Sequence, residues 1–517
     1  MKKGLRPFSR PSFEFGRVRY RIPMKPAMNT LICVSLTEAT VDGMIAAMRE
    51  APPEVDLFEL RLDFLNQIDL PRLLSARTRP VIITNRPQRQ GGHWTGSEQL
   101  RISFLRQAVQ LGAEYIDIED DSVAELGSKG GARLILSHHD IAGTPGDLAP
   151  LYRRIAGLGA DVVKVVTTAN TILDTLPVFR MLGAAKLPTV GLAMGEAGVI
   201  TRILAGRLGA FLTFASAARG KESAPGQLTV RQLMNLYRFR SITKATALYG
   251  VIANPVAHSM SPTIHNAAFA AAGLDAVYLP LLVHDAPAFL RAFAGFGFQG
   301  FSVTIPHKES VIPCVDDIDP LARKIGAVNT LVLRGGKLLG ANTDWIAVAR
   351  SLETAIAPEA LAGKRCLIVG AGGAARAMAF GLKERGCELL IGNRTYERGV
   401  ALAKAVGAKP LHLDEIASAN ADIVLNATSV GMHPRIDESP VPESLLRAGT
   451  IVFDTVYNPL DTKLLRQARV AGCRTISGLE MFVLQAVEQF EMWTGRPAPV
   501  ELMRNVTLAA LAEQRGN

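Results

Sequence analysis

With 517 residues, 48% of them hydrophobic, the chain is long enough for more than one buried core. No apolar run approaches the ~18 uncharged residues of a membrane span, and five cysteines without a C-x-x-C pair or metal spacing argue against a disulfide framework or a metal. The net charge of +10 falls to +3 once the +7 of residues 1–28 is set aside (eight Lys/Arg against Glu14), which weakens any case for a nucleic-acid surface.

Residues 1–28 form a basic N-terminal extension. Its Arg-rich, acid-poor composition fits a targeting peptide, and its shortness and scarcity of Ser fit a plain extension equally. The rest is expected in the reducing cytoplasm, or in a plastid if that segment is a targeting signal.

Eight strand-like runs follow: TLICVSL (30–36), DLFELRLDF (56–64), PVIITNR (80–86), EYIDIED (114–120), RLILSHHD (133–140), DVVKVVTT (161–168), PTVGLAMG (188–195) and AFLTFAS (210–216). Most intervals have room for a helix, which predicts an α/β fold opening with an N-terminal (β/α)8 TIM barrel over 29–240. Functional side chains should then gather at the carboxyl ends of the strands: Ser35, Glu59, Arg61, Arg86, His139 and Lys164. In ELRLDFL, Glu59, Arg61 and Asp63 share one face by period 2, and Asp63 reads as part of an internal salt-bridge layer. Residues 230–247 read as the last barrel helix and a short linker.

Lys164 stands between Val162, Val163, Val165 and Val166 in GADVVKVVTTAN. A buried amine serves as an ion-pair partner, an anion anchor or a nucleophile activated by desolvation. SHHD (137–140) puts His138 and His139 at the end of the preceding strand, within reach of an adduct on Lys164 as general acid/base. Together with Arg61, Arg86 and Arg202 this suits an anionic carbonyl substrate.

A second unit spans 246–517: a substrate lobe (246–345), a Rossmann lobe (361–480) and C-terminal helices returning to the substrate lobe. GAGGAARA (370–377) lies between strand CLIVG and helix AMAFGLKERG, so Gly370, Ala371, Gly372, Gly373 and Ala374 suit a pyrophosphate at a helix N-terminus. The next strand ends in Asn393, Arg394 and Thr395, with Arg398 one turn on; arginine in place of an acid favours NADP over NAD. Ser259, Ser261, Thr304, Lys308, Asn329 and Asp344 form a set able to bind a polyol.

The motifs ICVSL, ELRLDFL, TNRPQRQGG, SHHD, GADVVKVVTTAN, MGEAGVITR and SAPGQ, in that order, resemble type I 3-dehydroquinate dehydratases over nearly all of 29–240. The resemblance implies an imine between Lys164 and the substrate ketone, with His139 as acid/base and His138 as a packing neighbour. It implies substrate contacts from Glu59, Arg61, Arg86, Arg202, Ser223 and Gln227, with Arg202 clamping a carboxylate. Gln90 stands where that family commonly has an acid before the double glycine.

The second unit is similar to shikimate dehydrogenases over about 246–515. That resemblance implies substrate contacts from Ser259, Ser261, Thr304, Asn329, Asp344, Tyr457 and Gln485, with Lys308 as acid/base and Asp344 its partner. It places Gly370–Ala374 and Asn393–Arg398 on NADP, with Thr455 and Gly478 near the nicotinamide. Trp345 stands where NTDG has glycine. The pair implies a bifunctional shikimate-pathway enzyme acting on small molecules as a monomer or homodimer, without membrane or nucleic acid. A quinate-type dehydrogenase in the second half and a metabolite-sensing protein with decayed sites are the alternatives.

Overall fold

The computed structural model describes residues 30–515; the basic extension 1–28 lies outside the described residues. Eight strands form at the expected places: β1 (Leu31–Leu36), β2 (Leu57–Arg61), β3 (Val81–Thr84), β4 (Tyr115–Glu119), β5 (Arg133–His139), β6 (Val162–Thr168), β7 (Thr189–Met194) and β8 (Leu212–Ser216). A short β9 (Leu228–Thr229) extends the parallel sheet, in the order β7-β6-β5-β4-β3-β2-β1-β8-β9. The β7–β8 seam carries no ladder and is bridged by Phe211 N–H donating to Thr189 O at 2.8 Å.

The strands are apolar on both faces because helices cover the outside and side chains fill the inside. Val34, Phe58, Leu60, Val163 and Val165 pack outward; Cys33, Ile82, Ile135, Val162, Val166, Leu192 and Phe214 pack inward. Period 2 therefore turns Ser35, Glu59, Arg61, Asp117, Glu119, Ser137, His139 and Lys164 into the interior.

Three expectations need correction. Asp63 sits in a 3-10 turn (Leu62–Phe64), not on the strand, although it still pairs with Arg61. Lys164 is not at the carboxyl end of its strand: β6 runs on to Thr168, Ser137 is its register partner and His139 pairs with Val166, so the amine starts one layer deeper than His139. The expected last barrel helix is a short turn ending in a π segment, Gln232–Leu236. Arg238 stops it by adopting a left-handed conformation (φ 50°) and donating to Ala276 O at 2.7 Å, which steers the chain into the second unit.

The two units pack on each other. Phe179 stacks on Phe296 with ring centroids 5.0 Å apart. Arg207 Nη1 donates to the carbonyls of Lys244 and Thr246 at 2.6 and 2.8 Å, which fixes the connection.

The second unit has two sheets. The first contains β10 (Ala247–Ala253), β11 (Ala276–Leu282), β12 (Phe298–Val303), β13 (Asp317–Ile318), β14 (Thr330–Arg334) and β15 (Lys337–Ala341), in the order β11-β10-β12-β14-β15-β13. Helix Asp344–Ile356 leads to the second sheet: β16 (Arg365–Val369), β17 (Glu388–Gly392), β18 (Lys409–Leu411), β19 (Ile423–Asn426), β20 (Ile451–Asp454) and β21 (Arg474–Ile476). All its pairs are parallel and the order is β18-β17-β16-β19-β20-β21, the doubly wound Rossmann arrangement. Helices Gly478–Thr494 and Val500–Arg515 return to the first sheet, where Val483, Val487, Phe490 and Met503 join Tyr249, Phe269 and Tyr278.

Candidate active sites

A cavity of about 380 Å³ opens inside the barrel. The barrel residues expected to act on or bind the substrate line it: Ser35, Glu59, Arg61, Arg86, His139, Lys164, Arg202, Ser223 and Gln227. Lys164 reaches into it from the middle of β6 and is buried. Its Nζ donates to Asp117 Oδ2 at 2.7 Å and to Glu59 Oε1 at 3.2 Å, and lies 4.4 Å from the Phe214 ring centroid. The expected desolvated amine is thus a lysine paired twice.

Asp117 escaped the sequence reading, as did Glu119. The alternation in YIDIE, which turns both acids inward, was the available signal. Arg86 bridges them, donating to Asp117 Oδ1 at 2.7 Å and Glu119 Oε1 at 2.6 Å. Burial alone would raise the Asp117 carboxyl; Arg86, Lys164 and His139 outweigh it and hold the group well below the usual carboxylate range. Glu59 is held low in the same way by Lys164 and Arg61, with Ser35 Oγ donating to it at 2.6 Å. Arg61 is engaged by both oxygens of Asp63, at 2.9 and 2.7 Å.

Arg202 differs. It is fully buried on the cavity wall, its Nε and one Nη have no partner, and burial pushes its guanidinium down to about 10. An unpaired buried cation is an anion site in waiting. The neighbouring loop is tied down by Gly195 N–H donating to Pro225 O at 3.1 Å, and Ser223 N–H donates to Gln227 Oε1 at 2.7 Å.

His139 sits at the cavity edge. Gln90 Oε1 accepts from its backbone N–H at 3.0 Å and lies 3.3 Å from its Nδ1. Burial, then the charges of Arg86 and Lys164, push the imidazole well below its ordinary value, so it is neutral at neutral pH. An amide oxygen at Nδ1 can only accept, which places the proton on Nδ1 and leaves Nε2 as a base. His138 points the other way and meets Asp120 at 3.2 Å, in keeping with a packing neighbour.

In the second unit, Lys308 Nζ donates to Asp344 Oδ2 at 2.5 Å and Asn329 Nδ2 donates to Asp344 Oδ1 at 2.8 Å. Asp344 opens helix Asp344–Ile356 with Thr343 at its N-cap, where a carboxylate is favoured. The parallel pairing of β10 and β12 brings their following loops together: Asn254 N–H donates to Ile305 O at 3.2 Å. The first loop carries Ser259 and runs into helix Ser261–Ala271, which Ser261 opens; the second carries Thr304 and Lys308. Tyr457 and Gln485 share a neighbour: Tyr457 stacks on Phe482 and Gln485 donates to Phe482 O at 2.9 Å. Trp345 continues the helix without strain. It lies against Gly381 of helix Gly373–Glu384, where any Cβ would come within 2.9 Å, and under Arg385.

The glycine turn fits a dinucleotide. Gly370 has φ 124° and packs on Ala427 O, leaving no place for a side chain. Gly372 and Gly373 face open space at the N-terminus of helix Gly373–Glu384, where backbone N–H groups suit a pyrophosphate. Arg394 and Arg398 are exposed beyond β17, and among the described residues neither is paired with a carboxylate, leaving both free for a 2′-phosphate. Gly478 lies against the Thr455 carbonyl, which brings these two residues together at the ends of β20 and β21.

These features define a two-site enzyme: a lyase-type barrel with an interior lysine, joined to a two-lobed NADP-linked oxidoreductase. The model of type I 3-dehydroquinase matches residues 32–244. Models of the shikimate dehydrogenase substrate binding domain, shikimate / quinate 5-dehydrogenase and the shikimate 5′-dehydrogenase C-terminal domain match 251–331, 352–463 and 478–508. A chloroplastic bifunctional 3-dehydroquinate dehydratase/shikimate dehydrogenase of Arabidopsis thaliana is 42% identical over 502 residues, 92% of this chain and 83% of that one. An NADP(+) shikimate dehydrogenase of Moorella thermoacetica is 46% identical over 288 residues, 53% of this chain and 97% of that one. A solved shikimate dehydrogenase in complex with NADP+ is 39% identical, has a TM-score of 0.50 and covers 52% of this chain and 97% of its own. The chain belongs to the bifunctional 3-dehydroquinate dehydratase/shikimate dehydrogenases, enzymes of the shikimate pathway.

Proposed function

We propose that residues 29–240 and 246–517 are separate catalytic units for consecutive steps, dehydration of 3-dehydroquinate and reduction of 3-dehydroshikimate. In the first, the Lys164 amine condenses with the substrate ketone, releasing water and forming an imine. The protonated imine withdraws electrons, and neutral His139 takes the proton from the adjacent carbon at Nε2. The resulting imidazolium returns that proton to the departing hydroxyl, and hydrolysis of the imine frees Lys164. Asp117 and Glu59 stabilise the nitrogen's positive charge, and Arg202 receives the substrate carboxylate on two N–H groups. The observation that carries this reading is the twice-paired Lys164 beside an unpartnered Arg202 in one cavity.

In the second unit, Ser259, Ser261, Thr304, Asn329, Tyr457 and Gln485 bind the hydroxyls and carboxylate of the substrate. Lys308, oriented by Asp344, gives a proton to the carbonyl oxygen. NADPH supplies the hydride when bound, held by Gly370–Ala374, Asn393–Arg398, Thr455 and Gly478. Shikimate is the preferred product over quinate, which steady-state kinetics with both compounds and both cofactors checks.

Borohydride trapping with 3-dehydroquinate followed by peptide mass analysis tests the dehydratase reading. Mass gained on Lys164 supports it; trapping elsewhere or none removes it. The chain works in a reducing compartment, which suits five free cysteines. A reporter fused to residues 1–28 distinguishes cytoplasm from plastid.

A further inference from the structure

Beneath the Lys308–Asp344 pair, the second unit buries a string of uncharged polar side chains. Tyr278 on β11, Ser302 at the end of β12, Gln489 on helix Gly478–Thr494, Thr330 on β14 and Asn329 before it are all shielded from solvent. Tyr278 hydroxyl donates to Ser302 Oγ at 2.6 Å, and Ser302 Oγ donates to Gln489 Oε1 at 2.8 Å. Gln489 Nε2 donates to Thr330 Oγ1 at 3.2 Å, and Thr330 Oγ1 donates to Asn329 Oδ1 at 2.8 Å. Asn329 Nδ2 then donates to Asp344 Oδ1 at 2.8 Å.

The direction of this chain is set by backbone groups that have no choice of role. The Gln489 nitrogen also faces the Asn329 carbonyl at 3.2 Å, and a carbonyl can only accept, so that end of the amide is the NH2. The other end is then the oxygen, and Ser302 must donate to it. Thr343 N–H donates to Asn329 Oδ1 at 2.7 Å, and a backbone N–H can only donate, so the Asn329 nitrogen faces Asp344. Every link therefore gives its hydrogen toward Asp344. In a buried, low-dielectric interior such links polarise one another, strengthening the last bond to the carboxylate.

We propose that Gln489 is a positioning residue for the reduction: it joins the two halves of the chain and so fixes the Asp344 carboxylate against Lys308. Gln489 lies four residues after Gln485 and meets the substrate-binding residues only at the Asn329 backbone carbonyl. It acts through Thr330 and Asn329. The inference rests on the reading of Lys308 and Asp344 as the acid/base pair. It makes Thr330 a relay whose hydroxyl, not its methyl group, matters.

The test uses the full chain, in which an unchanged KM for NADPH reports that the second unit is folded and the dehydratase rate reports the same of the barrel. Gln489→Met and Thr330→Val should each lower the dehydrogenase kcat about tenfold or more. KM for NADPH and the dehydratase rate should stay unchanged, and Thr330→Ser should recover most of the loss. An unchanged kcat in Gln489→Met, equal loss in Thr330→Ser and Thr330→Val, or parallel loss of NADPH binding would overturn the proposal. Lys308→Met separates the two readings: retained dehydrogenase activity there removes the acid/base pair itself, whereas its loss beside an unaffected Gln489→Met removes only the relay.

Discussion

The Gln90 amide oxygen sits 3.0 Å from the backbone nitrogen of His139 and 3.3 Å from its Nδ1. An amide can orient the imidazole but cannot charge, so nothing at this position counters the burial and the Arg86 and Lys164 charges that push His139 low. Gln90→Glu supplies a negative charge, which favours protonated imidazole and raises its pKa. Because dehydration needs the neutral base, the acid limb of the dehydratase kcat/KM profile should move up by about one pH unit. A limb that stays in place refutes the role given to Gln90.

Asp117 balances two cations at once. Asp117→Asn leaves the buried Lys164 and Arg86 short of a counter-charge, with a stability cost of about 3 kcal/mol. The dehydratase kcat should fall about a hundredfold, by analogy with loss of other electrostatic stabilisers. Dehydrogenase activity measured on the same sample at moderate temperature should persist. Equal loss of both activities would mean that Asp117 is needed only for folding.

Arg202 separates function from stability. Its unpartnered guanidinium is a burden in the free protein and an asset with an anion bound. Arg202→Met should raise the barrel's melting temperature while lowering kcat/KM for 3-dehydroquinate about a hundredfold, the worth of two charge-assisted hydrogen bonds. Calorimetry showing a lower melting temperature would contradict the reading of Arg202 as uncompensated.

Cofactor choice should lie in Arg394 and Arg398. Replacing either with alanine should raise KM for NADPH about tenfold and leave KM for NADH nearly constant, since an exposed arginine–phosphate pair is worth roughly one tenfold step. Equal effects on both cofactors would assign these arginines to a feature that NADPH and NADH share.

His265 predicts acid sensitivity in the dehydrogenase half. It stacks on Tyr278 at 4.5 Å, and burial pushes it down to about 3. The unfolded chain binds its proton near pH 6.5 and the folded chain does not, so the stabilisation is complete above about 6.5 and is lost as pH falls toward 3. Within that window each pH unit should cost about 1.4 kcal/mol. His265→Phe should flatten the pH dependence of the urea midpoint for dehydrogenase loss; an unaltered slope would show that other groups govern it.

The sequence by itself determined the eight inward-alternating strands, the glycine turn and most of the polar residues that line the barrel cavity, because strand period, turn chemistry and motif spacing are local properties. It also marked Lys164, an amine in a run of valines. What Lys164 touches was decided only by tertiary structure. Its partners Glu59 and Asp117 lie 105 and 47 residues away and meet it through barrel closure and register. The same holds for Arg61, bound by a turn rather than a strand neighbour, for Arg202, left alone, and for Gln489, which reaches Asn329 across 160 residues. Local pattern says which way a side chain faces; its charge balance and hydrogen-bond direction depend on which other chains of atoms the fold brings within about 3 Å.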